Sequence, residues 1–348
     1  MPSAACSSAT IGATPASLGI VWWNVGDFFH FEHGRARTNP PCRWPISLDA
    51  YHNKCQRVDR ALRALFHTMG TPDVLTLGEI TQKAANDLRN RLLPEYSVIS
   101  LDTKADDPTL QVAILHRKNI RRQLRFKEQP PIVVPATPRG TRPMAVLDII
   151  IGKHRIRCIV CHWQARFGET SEDARLRTSD YLSRYAYDFI RGTVSEQRSI
   201  VIIGDLNEEP FELPQRALHA HRDRSRSQSR MHWADDDVKR VHLYNCSWRL
   251  LGEKTPHTAA TNSPEAIHAA GTFYWASKRS WHHLDHIIVS GGLLGTTPPY
   301  LDESQVAIGA TPEFMPEGVP EKFAIKEGNP RGLSDHLPIV AKIRLRDS

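Results

Sequence analysis

Apolar runs that stop on a polar or ionisable residue recur along this chain, and that pattern limits its fold more than any other feature. Asn24 closes Ile20-Val21-Trp22-Trp23, Glu79 closes Val74-Leu75-Thr76-Leu77, and His162 closes Ile159-Val160-Cys161. Asp205 and Asn207 follow Ile200 to Ile203, and Asp335 and His336 precede a strand that begins at Pro338. Asp285 differs by opening a strand, Ile287-Ile288-Val289. Such strand ends hold side chains rigidly while the adjoining loops admit a substrate. Singly, each residue reads more simply: an Asp or Asn after a strand usually bonds nearby backbone groups in a turn. Jointly, independent turns have no need of a Gly-Glu end, a Gly-Asp end with an Asn two residues on, and a Ser-Asp-His.

The spacing of the intervening segments predicts a helix over Tyr51 to Met69, with Val58, Leu62, Leu65, Phe66 and Met69 on one face, ended by Gly70 and Pro72. Further helices are expected around Ala84 to Leu93 and Glu172 to Ile190. Strands are expected at Gly19 to Val25, Asp73 to Leu77, Tyr96 to Leu101, Gln111 to His116, Met144 to Ile151, Arg155 to Trp163, Ser199 to Ile203, Gly271 to Ala276, Leu284 to Ser290 and Pro338 to Leu345. Four consecutive strands without helices between them imply mainly antiparallel sheet. No repeat or interdomain linker interrupts the 348 residues, so one domain over 19–346 is expected, with a flexible N-terminus over 1–18.

Composition narrows the function classes. With 40% hydrophobic residues and no apolar run near the ~20 residues that span a bilayer, no transmembrane segment is expected. The N-terminus lacks a signal peptide's basic start and apolar core, which makes the cytoplasm the default compartment. A net charge of +7 favours anionic partners. The segment Arg222 to Arg230 (RDRSRSQSR), with Trp233 and Trp248 nearby, suits nucleic acid, because arginines pair with phosphates and indoles stack on bases. A solvated loop is the competing reading. Cys158 and Cys161 sit three apart on a strand and therefore face opposite ways, which argues against a shared zinc or redox disulfide.

Hard oxygen donors such as Glu79 and Asp335 suit Mg2+ or Mn2+ rather than zinc, and magnesium commonly completes its shell with waters and substrate phosphate. A phosphate ester is then the expected substrate, with histidines and Asn207 donating to its oxygens and a carboxylate or histidine positioning the attacking water. Neither a Walker loop nor a GxGxxG is present, so nucleotide-driven phosphotransfer lacks its usual apparatus.

The ordered set Trp23-Asn24-Val25, Leu77-Gly78-Glu79, His162, Gly204-Asp205-Leu206-Asn207, Leu284-Asp285-His286 and Ser334-Asp335-His336 resembles the signatures of the endonuclease/exonuclease/phosphatase superfamily, the deoxyribonuclease-I-like fold. Cys161-His162-Trp163-Gln164-Ala165-Arg166 and Gly204 to Pro210 are similar to the motifs of a bacterial branch. The resemblance implies an α/β four-layer sandwich of two largely antiparallel sheets packed face to face, with helices outside. It implies that Asn24, Glu79 and Asp335 hold or orient the metal, that Asp205 and Asn207 contact the water and phosphate, that Asp285 orients His336, and that His162 bonds a phosphate oxygen or the leaving group. Whether His336 or Asp205 takes the proton, and whether one metal or two act, is left open by the motif. Arg166, four residues after His162, is expected to contact phosphate or to close the site with a carboxylate.

The chain departs from the pattern at Gly26, where relatives often carry a carboxylate, with Asp27 the candidate replacement in the metal's outer shell, and at Gln164 and Ala165. The expected activity is metal-dependent phosphodiester hydrolysis, with DNA or RNA as the leading substrate. Phospholipid headgroups or small nucleotides are the alternative, and a non-catalytic nucleic-acid-binding module is the reading from another class.

Overall fold

The computed structural model describes residues 16–34, 47–101, 111–118, 124–135, 142–166, 171–192, 196–212, 216–225, 234–235, 240–251 and 269–346. In chain order these form β1 (Ser17–Phe28), α1 (Phe31–Gly34), α2 (Leu48–Met69), β2 (Val74–Ile80), α3 (Gln82–Leu92), β3 (Tyr96–Ser100), β4 (Gln111–Arg117), β5 (Leu124–Ile132), β6 (Met144–Ile151) and β7 (His154–His162). There follow α4 (Ser171–Arg191), β8 (Gln197–Asp205), β9 (Ala220–His221), β10 (Ala234–Asp235), β11 (Arg240–Val241), β12 (Leu243–Asn245), β13 (Phe273–Trp275), β14 (Ser280–His282) and β15 (Asp285–Ser290). The last strands are β16 (Tyr300–Ile308), β17 (Ala324–Lys326), β18 (Asn329–Arg331) and β19 (Ile339–Arg344).

One sheet of six strands runs β16-β19-β1-β2-β4-β3, and a second of seven runs β5-β6-β7-β8-β15-β12-β9. Alternation along the central strands supplies three cores. Ile20, Trp22, Cys158, Val160, Val201 and Ile203 pack between the sheets. Val21, Trp23, Leu75 and Leu77 face Val58, Leu62 and Leu65 of α2 and Leu88 of α3, while Ile159, Cys161, Ile200 and Ile202 face Leu182 and Phe189 of α4. The result is the expected four-layer α/β sandwich. Cys158 and Cys161 do fall in different layers, and both are free, buried thiols. α2 starts with Ser47, whose side chain accepts the Ala50 N–H at 3.0 Å, a cap worth about 1 kcal/mol.

The site is positioned by topology. β1 with β2 in the first sheet and β7 with β8 in the second are parallel pairs, so the carboxyl ends of both strands in each pair lie side by side. Each pair is flanked by an antiparallel neighbour, β19 beside β1 and β15 beside β8, whose start lies at that same end. Asn24 is in register with Gly78, His162 with Asp205, and Asp285 with Asp205.

The expected strands and helices are present, with ends displaced by a few residues; β1 begins at Ser17, inside the expected flexible segment, and residues 1–15 lie outside those described. Sequence pattern misses the short strands β9 to β12, β14, β17 and β18, and two longer ones, β5 and β16. Both are edge strands, and β5 carries Lys127, Glu128, Pro130 and Pro131, the charges and prolines that edges tolerate. Of the arginine-rich segment, residues 226–230, like Trp233, lie outside the described residues. Arg224 forms an ion pair with Glu303, and Arg222 stands over the Trp248 ring.

Candidate active site

Backbone geometry aims the strand-end side chains. Gly204 has φ +151°, and a Cβ there would sit 1.9 Å from the Cys161 carbonyl oxygen, so only glycine lets β8 lie this close to β7 ahead of Asp205. Gly26, at φ +62°, would bring a Cβ to 3.3 Å from Ser334 Oγ and 3.7 Å from Asp335 Oδ1. That close approach draws the end of β1 against the turn that leads into β19. Ser334 Oγ donates to the Asn24 carbonyl (2.7 Å) and accepts the His336 N–H (3.1 Å). Lys54 of α2, fully buried, donates to the carbonyls of Val25 (2.8 Å), Gly26 (3.1 Å) and Leu333, joining the same two segments from below.

Asn24 and Asp205 each do two jobs. Asn24 Oδ1 accepts the Gly26 N–H (3.1 Å) and Asp205 Oδ1 accepts the Asn207 N–H (2.8 Å), the local turn bonds their residue types favour. Their remaining atoms meet across the gap between the sheets. Asn24 Nδ2 donates to Asp205 Oδ2 at 3.1 Å and reaches Glu79 Oε1 at 3.4 Å. Asn24 thus orients the two carboxylates through its amide N–H groups, while its oxygen is engaged with the backbone. Glu79, whose φ is +55°, accepts the Asp27 N–H on Oε2 (2.8 Å).

His162 Nε2 lies 3.6 Å from Glu79 Oε1 and 3.7 Å from Asp205 Oδ2. His336 Nε2 lies 3.8 Å from the same Asp205 oxygen, and its Nδ1 bonds Asp285 Oδ2 at 2.9 Å. The other Asp285 oxygen accepts the Trp22 indole N–H at 2.6 Å, a bond that crosses from one sheet to the other. Asn207 Nδ2 donates to the Trp163 carbonyl (3.2 Å). Asp335 is half-buried beside Gly26, and the Asp27 carboxylate is paired with Lys322 at 2.8 Å.

Burial alone would raise every carboxyl pKa here, and the neighbours decide which stay charged. For Glu79, His162, Lys322 and the Asp27 N–H outweigh burial and its pKa falls. Burial pushes Asp205 up to about 7, with Asp285 adding to it and His336 and the Asn207 and Asn24 donors opposing. Asp285 is lowered, because His336, Trp22 and Thr272 overcome its burial. Burial disfavours charge on His336, yet Asp285 and Asp205 raise its pKa well above the ordinary imidazole value. Burial and then Arg142 push His162 down to about 3. At neutral pH the site therefore holds a cationic His336 and an uncharged His162, leaving Lys322, the Asp27 N–H and His336 to keep Glu79 ionised.

Two cations escape the sequence reading. Arg142 contacts His162 Nε2 and lies 3.4 Å from the Trp163 carbonyl; continuing the β6–β7 register from Ala145 opposite Val160 would have placed it opposite Trp163. Lys322 precedes a short hairpin strand and carries no strand-end signal. Arg166 pairs with Glu212, beyond the Asp205 turn, rather than with a residue of the central cluster. Within the Gly204 to Pro210 motif, Glu208 pairs with the buried Arg175 of α4 and Glu209 reaches His282 of β14 at 3.0 Å, so both pin the loop that carries Asn207.

The donors match a hard divalent cation: Glu79 and Asp335 offer carboxylate oxygens, with no sulfur ligand beside them. The closer group of Asp205, Asp285 and His336 is a hydrogen-bonded relay, since His336 Nδ1 is engaged by Asp285 and Asp285 by Trp22.

A sequence model described as the endonuclease/exonuclease/phosphatase family matches residues 36–345, which takes in every strand end of the site except Asn24. The chain belongs to this family. Members hydrolyse phosphoric esters and generally depend on a divalent metal. Among solved structures, a Bacteroides thetaiotaomicron mannosyl-6-phosphatase is similar over 94% of this chain and 99% of its own, at 15% identity and TM-score 0.55. A second B. thetaiotaomicron member of the family matches at 14% identity and TM-score 0.54 over 94% and 95% of the two chains. D. rerio TDP2, solved with a single-strand DNA product, matches at 14% identity and TM-score 0.51 over 95% and 100%. These likenesses establish the shared fold. No curated protein sequence matches this family member. Among the described residues no helix is long and apolar enough to cross a membrane.

Beside the relay, His286 supplies a measurable pH dependence of stability. Its Nε2–H donates to the Glu208 carbonyl (2.7 Å) and its Nδ1 accepts from Asn245 Nδ2 (3.1 Å), a set that only the neutral ring satisfies. Burial pushes its pKa down to about 4, below the 6.5 of an unfolded imidazole. Between those values the unfolded chain binds a proton that the folded chain refuses. Its contribution is therefore complete above pH 6.5 and shrinks as pH falls toward 4, by about 3 kcal/mol at most. Urea unfolding from pH 7 to 4.5 should show this decline, and His286→Gln should flatten it; an equal slope in both proteins would contradict the account.

Proposed function

We propose that the chain is a divalent-metal-dependent phosphodiesterase that hydrolyses DNA or RNA, acting as one catalytic domain over residues 19–346. One observation carries this reading: Asp205 Oδ2 is approached from both sheets by Asn24 Nδ2 at 3.1 Å, His162 Nε2 at 3.7 Å and His336 Nε2 at 3.8 Å, with Glu79 beside the first two. Glu79 and Asp335 would hold Mg2+ or Mn2+, which supplies Lewis-acid stabilisation of charge on a phosphoryl oxygen when bound. Asp205 is the group that accepts the proton of the attacking water, because its raised pKa places it near neutrality. His336, kept protonated by Asp285, donates to a phosphoryl or leaving oxygen. Asn207 donates to a remaining oxygen, and Arg142, which donates to Nε2 of the neutral His162, and Lys322 add positive charge for the phosphate.

Aromatic groups at the rim favour a nucleic-acid substrate. Phe273 lies with its ring centroid 4.8 Å from that of His336, and the β13–β14 hairpin it begins also carries Trp275 and Trp281, all half-buried. Such rings stack on bases next to a phosphate held at His336. The chain's +7 charge acts in the same direction. The deciding experiment measures kcat/KM on single- and double-stranded DNA, RNA, an inositol phosphate, sphingomyelin, a mononucleotide and a sugar phosphate. A polynucleotide should be the best substrate. Preference for a lipid headgroup or a small monoester would overturn the substrate assignment while leaving the phosphoric ester chemistry in place.

A further inference from the structure

A second group of metal-ligand side chains lies on the outer strands of the second sheet. His219 and His221 flank Ala220 at β9, the edge strand, which pairs in parallel with β12 so that Ala220 faces Leu243 and His221 faces Tyr244. Ala220 and Leu243 point together into the core beneath α4. Alternation turns His221 and His242 to the opposite face, and His219, in the left-handed conformation (φ +58°) just ahead of β9, joins them; all three are half-buried. His221 Nε2 lies 2.9 Å from His242 Nδ1, and one ring nitrogen from each histidine falls within 4.8 Å of the others.

We propose that His219, His221 and His242 bind a divalent transition metal of zinc's class through three imidazoles, with a fourth position open to water or an anion. Zinc holds imidazole nitrogens at about 2.0–2.1 Å, so a tetrahedral site sets them about 3.3 Å apart. The His221–His242 separation of 2.9 Å lies near that value, and the third nitrogen is within 4.8 Å of both, so side-chain rotation has only a short distance to close. In the metal-free chain the His221–His242 contact joins an N–H to a lone pair; the metal replaces it by taking a lone pair from each ring, which releases no proton because neutral imidazole is the ligand. Neutral imidazoles select zinc, copper or nickel over magnesium, the reverse of the carboxylate preference at Glu79 and Asp335. The bound ion would cross-link β9 to β12, where only two residues of edge strand hold the chain, and would fix the start of the arginine-rich segment at Arg222.

The test uses the full chain, stripped of metal and then held in excess Mg2+ to occupy the hard-oxygen site. Titration with Co2+ should give one equivalent with the intense visible absorption of four-coordinate cobalt, displaced by Zn2+, and Zn2+ should raise Tm. His242→Ala and His219→Ala should each weaken zinc binding by at least about 100-fold, since even outer-shell changes cost metal sites 10–100-fold. Circular dichroism verifies that each variant is folded, and His242→Gln replaces any that is not. The proposal is overturned if Co2+ gives no such spectrum, if the spectrum survives the histidine variants, or if Glu79→Gln abolishes it, which would locate the ion in the candidate active site. These readouts do not depend on hydrolysis, so the site stands or falls apart from the proposed activity.

Discussion

Excess EDTA should abolish hydrolysis by this chain, and Mg2+ or Mn2+ should restore it. Glu79 is held ionised and shares the site with Asp27, Asp205, Asp285 and Asp335, while Lys322 is paired with Asp27 and His336 with Asp285. Without a further cation a phosphate must approach several carboxylates at once. A metal's stabilisation of developing phosphoryl charge is worth several kcal/mol; about 4 kcal/mol corresponds to about a thousandfold in rate. The measurement is turnover of the best substrate against free metal concentration. Undiminished turnover in excess EDTA would sink the assignment of Glu79 and Asp335 to the metal, and strong preference for zinc over magnesium would count against the hard-oxygen set.

His336→Ala and Asp205→Asn should each lower kcat at least about 100-fold with the fold intact, the size expected for a positioned acid or base. Asp285→Asn should cost less, because Asp285 acts through His336 by accepting its Nδ1–H at 2.9 Å. Losing that negative partner makes the imidazolium less favoured, so the His336 pKa falls and the alkaline limb of the pH–rate profile moves to lower pH. A merely structural role for Asp285 would leave that limb in place. The double variant Asp285→Asn/His336→Ala should be no worse than His336→Ala alone; additive losses would contradict the coupling.

Most of the candidate site was legible because its residues end apolar runs, and a run's end is visible without a partner strand. His162 and Asp205 end strands, Glu79 is the last but one residue of β2, Asn24 ends the apolar run of β1 where its pairing with β2 becomes irregular, Asp285 begins a strand, and His336 lies just ahead of another. The turn reading of Asn24 and Asp205 was also correct: one atom of each makes the local bond, and the other faces the site. Arg142 and Lys322 were not legible, because a cation in a loop looks the same whether it faces solvent or a phosphate. The edge strands β5 and β16 were missed for a related reason, since an edge has one neighbour and tolerates charge that a central strand does not.

The sequence by itself determined the layers. Period-two alternation assigns Trp22 and Trp23, or Cys158 and Cys161, to opposite faces of a strand wherever that strand lies. Tertiary structure alone decided the electrostatics. The parallel pairing of β1 with β2 and of β7 with β8 placed four strand ends together, and the contact between sheets set Trp22 on Asp285 and Asn24 on Asp205. An imidazole's charge depends on burial and on the nearest opposite charge, both of which are distances through space. His162 and His336 therefore carry opposite pKa shifts, one from burial beside Arg142 and the other from Asp285 and Asp205, although each is only a histidine at the end of a strand in the sequence.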